Sequence, residues 1–177
     1  MKGYVKSGHL EKAVRLAAVF KNPVNRSSLY AFAATRLLVE KSENKNAQAL
    51  IDSAMTEMKR VENTSGSQPN RSLIAYALTM ANPGKNEQEA YTVIRNLPAK
   101  FKAMQSICRA YAFYNDLYKA RSGIPADISG SDEAAFLTFI LIGNAEDKKP
   151  TDDSWIQYES NDPTRRLQFI QYIDETD

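Results

Sequence analysis

Cysteine and histidine are almost absent from this chain of 177 residues, where Cys108 and His9 each stand alone. One cysteine excludes a disulfide framework and any cysteine-built zinc or iron–sulfur site, and one histidine excludes a two-histidine metal site. A Ser–His–Asp triad would have to draw on a histidine close to Met1, which argues against it. No apolar run approaches the ~18 residues that suggest a bilayer span. Met1-Lys2-Gly3-Tyr4 opens no apolar stretch of the signal-peptide kind. Seven glycines and seven prolines are ordinary for a folded chain and exclude low-complexity disorder. Alternation of β-branched and polar residues is rare, so strands are not expected. What is present is 43% apolar and 25% charged residues, enough for a single all-α, water-exposed domain with its own core. A cytoplasmic location is the expectation.

Apolar residues recur at helical spacing along nearly the whole chain. The first helix is predicted over residues 9–20, with Leu10, Ala13, Leu16, Ala17 and Phe20 on one face, ended by Asn22-Pro23. The second is predicted over 27–41 and the third over 46–61. The polar, breaker-rich stretch 62–70 reads as an exposed loop. Helices follow at about 71–82, 86–96, 98–115, 117–124 and 131–145, separated by Asn82-Pro83-Gly84, Leu97-Pro98, Asp116 and Ile124-Pro125. Eight short helices joined by short turns imply antiparallel neighbours.

These helices carry a repeated mark. An alanine–aromatic–alanine triplet occurs in alternate helices, as Ala31-Phe32-Ala33, Ala75-Tyr76-Ala77 and Ala110-Tyr111-Ala112. The helices between them carry Ala13, Ala47-Gln48-Ala49, Ala90 and Ala120 after charged or polar residues. Small residues at fixed positions let two helix backbones approach, and the aromatic fills the adjoining groove. Tyr4-Val-Lys6-Ser-Gly8-His-Leu10-Glu-Lys-Ala13, with Pro23 after it, resembles the inter-helix turn and second helix of a tetratricopeptide-type repeat. The same string is similar to the pentatricopeptide family. The resemblance implies an α-α superhelix of about four helical hairpins. It is strong only over residues 4–23, and Asn44 and Asp116 stand where later turn glycines would fall. No binding residue is therefore carried over from either family. In this register the chain begins inside a repeat, as a truncated reading frame or the C-terminal piece of a longer array would.

The domain division expected is a helical repeat array over 1–146 and an acidic capping segment over 147–177. The last array helix, Ala134–Ile142, is apolar all round except for Thr138, and a terminal solenoid helix needs a cover. Trp155, Ile156, Tyr158, Leu167, Phe169, Ile170 and Ile173 are the side chains available to supply it.

No chemical motif emerges. Gly84-Lys85 lacks the upstream glycine and following hydroxyl of a phosphate-binding loop. Residues 127–138 imitate the start of a calcium loop, but Gly130 falls at the fourth position and Thr138 at the twelfth. Ser129 or Ser131 as a helix cap, with Asp132 and Glu133 at the helix's positive end, explains them better. Cys108 reads as a buried structural thiol, and the sequons at Asn25, Asn63 and Asn70 are about what twelve asparagines supply by chance. No catalytic, cofactor-binding or metal-binding residue is assigned.

Charge is the one imbalance. Residues 1–121 hold 19 Lys+Arg against 9 Asp+Glu, and residues 122–177 hold 4 against 12. A basic array with an acidic end implies an anionic partner or a tail folded back upon it. The basic residues are spread over every helix and no exposed aromatic platform is evident. The expectation is therefore a non-catalytic scaffold, not an enzyme, with a protein or peptide partner and no membrane. The alternatives are a single-stranded RNA-binding array and the non-catalytic part of a larger enzyme.

Overall fold

A computed structural model of the chain describes residues 10–40, 44–61, 68–97, 100–128 and 130–146. Among the described residues every regular element is a helix: α1 (Leu10–Val19), α2 (Pro23–Val39), α3 (Asn44–Met58), α4 (Gln68–Ala81), α5 (Glu87–Ile94), α6 (Lys100–Phe113), α7 (Leu117–Ser122) and α8 (Ser131–Glu146). His9, the strong part of the repeat resemblance before Leu10, and the segment 147–177 expected to act as a cap lie outside the described residues.

The helices pack in alternation. The even-numbered ones lie side by side, α2 on α4, α4 on α6 and α6 on α8. Each odd-numbered helix packs on its even neighbours, so that α3 touches α2 and α4, α5 touches α4 and α6, and α7 touches α6 and α8. The alanine marks explain this pairing. Ala31, Ala33, Ala75, Ala77, Ala110 and Ala112 of the even row are sealed from solvent, as are Ala47, Ala90 and Ala120 of the odd helices. Their small side chains let the rows close on one another, and larger residues such as Ile51, Ile74, Ile107, Phe113, Phe136 and Ile140 fill the space between.

Two helix starts correct the sequence reading: α4 begins at Gln68, inside the stretch 62–70 expected to be a loop, and α2 begins at Pro23. Asn22-Pro23 ends α1, but it also begins α2 four residues earlier than the predicted Ser27. Proline at the first helical position loses no hydrogen bond and has its φ preset, and Asn22 Oδ1 accepts from Val24 N at 2.8 Å. Arg26 then joins three elements. Its guanidinium donates to the carbonyls of Phe20 and Lys21 in the preceding turn and meets Glu57 Oε2 of α3 at 2.6 Å. The Glu57 carboxyl is held below its usual range chiefly by that hydrogen bond.

The turns differ in how they bend. Gly84, at φ +95°, reverses the chain between α4 and α5. Between α6 and α7 the left-handed residue is Asn115, at φ +60°, beside the Asp116 that the sequence singled out. Asparagine tolerates this region better than most residues. Asp116 instead caps α7, accepting from Lys119 N at 3.1 Å.

Among the described glycines the closest backbone approach is near the end of α8. A β-carbon placed on Gly143 would lie 2.1 Å from the carbonyl oxygen of Arg109 in α6. Only glycine lets these two backbones touch. Along the helix predicted to need a cover, Phe136 and Ile140 are fully buried and Leu141 is 8% exposed.

Candidate binding groove

The even helices leave one face away from the odd row, and a groove of about 320 Å³ runs across it. From α2 come Phe32, Thr35, Arg36 and Val39, the i, i+3, i+4 and i+7 positions of one helical stripe. From α4 come Ser72, Leu73 and Tyr76, and from α6 Ser106 and Arg109. The alanines at i±1 from Phe32 and Tyr76 face neighbouring helices, which turns these two rings toward the groove. Phe32, Val39 and Leu73 supply apolar surface, and among the described residues the lining includes two arginines and no carboxylate.

Both arginines are held. Arg36 Nε meets Glu40 Oε1, one turn further along α2, at 2.6 Å, with both side chains over two-fifths exposed. The guanidinium carbon of Arg109 lies 5.0 Å from the centre of the Tyr76 ring, a cation–π seat. Tyr76 is 3% exposed, so its ring supports Arg109 more than it offers a surface of its own. Thr35 Oγ1 donates to the Ala31 carbonyl at 2.9 Å.

The third triplet departs from the first two. Tyr111 faces the odd row, where Lys119 Nζ lies 5.1 Å from its ring centre. Lys119 also lies 3.7 Å from Glu87 Oε2. Burial first, and then the Glu87 carboxylate, push the Tyr111 phenol upward. Its buried hydroxyl finds no well-aligned hydrogen-bond partner. Next to it, burial raises Tyr91 to about 12 and Cys108 to about 12. Cys108 is 1% exposed, and a neutral, enclosed thiol is a poor nucleophile. Within this cluster the Lys119 cation faces the Glu87 carboxylate.

The remaining sequence candidates are dispersed. Asp132 and Glu133 occupy the first turn of α8, whose Ala134 N–H bonds the Gly130 carbonyl. Ser129 lies outside the described residues. Among the described residues no group of three or more His, Cys, Asp or Glu side chains is placed to hold a metal ion, and no helix is long and apolar enough to cross a membrane. Asn70, a sequon residue, is 7% exposed and donates its side-chain N–H to the Val24 carbonyl at 2.8 Å, so it ties α4 to α2.

The sequence reading missed the groove. From the sequence Arg36 and Arg109 are indistinguishable from other scattered cations, and Phe32 and Tyr76 read as packing residues, which Tyr76, 3% exposed in the core, also is. The available signal was the second stripe on α2, Phe32–Thr35/Arg36–Val39, which runs beside the alanine face. Comparison with known proteins adds nothing to the geometry: no family model, curated protein or solved structure matches the chain.

Proposed function

We propose that this protein is a non-catalytic interaction module, a tetratricopeptide-like array of helical hairpins that receives a peptide or protein segment along the face of its even row. The observation that carries the reading is the groove shared by α2, α4 and α6. A row of helices with alternating partners on one side and an apolar, arginine-bearing groove on the other suits an elongated ligand. A cytoplasmic setting and a capping role for residues 147–177 belong to the same proposal. Selection from a random peptide library displayed on phage tests it. Sequences enriched on the full chain and lost on the Ser106→Trp variant, which fills the groove, support the reading. Equal enrichment on both, or none on either, refutes it. For the cap, deletion of residues 150–177 is expected to lower the melting temperature and cause self-association. An unchanged melting curve and a monomeric truncated chain would remove the cap.

The RNA alternative predicts that single-stranded RNA is retained at low salt and released steeply as salt rises. No retention at low salt would eliminate it.

A further inference from the structure

We infer that the cavity between α3 and α5, where Arg71 of α4 joins the lining, binds a small aliphatic carboxylate. The carboxylate meets the Arg71 guanidinium, and the hydrocarbon lies against Met55, Met58, Val61 and Val93. This site is on the odd-row side of α4, apart from the groove, so its failure would leave the groove reading untouched. Both α3 and α5 pack on α4, and a space of about 440 Å³ lies between them. That size suits a small ligand, and apolar walls with a few polar groups are what such a ligand needs.

Arg71 is the reason for an anion. Its guanidinium is half-buried, and its one hydrogen bond among the described residues runs from Nη2 to the Val61 carbonyl at 3.0 Å. Nε is buried without a partner. Burial pushes Arg71 below the usual guanidinium range, and no neighbouring carboxylate lifts it back. Arg26 shows the contrast, since Glu57 at 2.6 Å raises it. A guanidinium stays charged in a protein, and a partly buried charge without a counter-charge is costly. An entering carboxylate supplies that counter-charge through the N–H donors that Val61 leaves unused.

The remaining lining sets the ligand's size and charge. Lys59 and Glu89 are both exposed and cancel, which leaves Arg71 as the net charge of the cavity and matches a monoanion. A bare ion such as phosphate would leave the methionine and valine walls uncovered. An aliphatic body covers them, and the flexible Met55 and Met58 side chains can adjust to its shape.

Amide chemical-shift titration of the full chain with hexanoate, hexanamide and inorganic phosphate tests the inference. Hexanoate is expected to saturate and to move Val61, Arg71 and Val93. Hexanamide, of the same length without the charge, should bind at least about 10-fold more weakly. Arg71→Gln should cost hexanoate a similar factor and Arg71→Lys less, at matched melting curves. Because Arg71→Gln alters a half-buried group, Thr92→Glu is the second variant. It leaves Arg71 in place, adds a carboxylate at an exposed lining position, and should weaken hexanoate while sparing hexanamide. Hexanamide binding as tightly as hexanoate, or hexanoate indifferent to both Arg71→Gln and Thr92→Glu, would overturn the inference. Phosphate binding more tightly than hexanoate would make this a bare-anion site and overturn it as well. So would hexanoate shifts that do not saturate or that lie away from the cavity.

Discussion

The two sides of α6 use similar parts to opposite ends. Toward the odd row, Lys119 lies over Tyr111, but Glu87 stands beside the cation and Cys108 and Tyr91 close the space. Toward the groove, Arg109 lies over Tyr76, and Ser106 lines the open space on that side. A cation over an aromatic ring is therefore no sign of a binding site by itself. What separates the two sides is whether space remains next to the pair.

The sharpest break in that comparison comes from adjacent residues. Ile107, 1% exposed on the closed side, should cost ~2–5 kcal/mol when cut to alanine. Its neighbour Ser106, in the groove, should change stability by no more than about 0.5 kcal/mol as Ser106→Ala. Urea denaturation of both variants measures the difference, and equal costs would mean that the groove side is packed as tightly as the core. Gly143→Ala couples the sides. The added carbon meets the Arg109 carbonyl, and backbone cannot yield as a side-chain end can. A loss of about 2–3 kcal/mol is expected, read as a lower melting temperature. Retention of full stability would show that α6 and α8 are less closely apposed.

Helices were legible in the sequence because most carry an apolar stripe, and the alanine–aromatic–alanine triplets fall on α2, α4 and α6, three helices of the even row. The face presented by each aromatic was not legible. Tyr111 occupies the same triplet as Tyr76 yet turns to the other side, because small drifts in repeat length rotate a side chain about the helix axis. The groove itself draws on residues more than thirty positions apart in three helices, and no local pattern unites them. Gly143 sat unremarked in an apolar helix, since nothing in its neighbourhood announces a backbone contact with Arg109.

The closed side also has a pH signature. Cys108 is raised from 9.0 to about 12 and Tyr91 from 10.0 to about 12, both chiefly by burial. A raised pKa stabilises the fold fully below the unfolded value, and that contribution is lost as pH rises toward the folded one. Stability should therefore decline between pH 9 and 12, as followed by thermal melts across that window. Cys108→Ser, which removes the thiol, should soften the decline. In the native protein near neutral pH, a thiol reagent should leave Cys108 unmodified until denaturant is added. Rapid labelling without denaturant would contradict its enclosure. A small effect, of the opposite sign to Ile107→Ala, belongs to Tyr111→Phe. It deletes a buried hydroxyl that lacks a well-aligned partner, so stability should hold or rise by up to about 1 kcal/mol. A marked loss would mean that the hydroxyl is bonded to Glu87 in solution.

The central claim, that the even row carries the binding face, is tested most directly by amide chemical-shift mapping of the full chain titrated with a peptide enriched in the phage selection. The account predicts shifts concentrated at Phe32, Arg36, Ser72, Tyr76, Ser106 and Arg109, with Ala90 and Ala120 of the odd row unmoved. Shifts centred on the odd helices, or saturable binding that leaves the groove residues unperturbed, would contradict it.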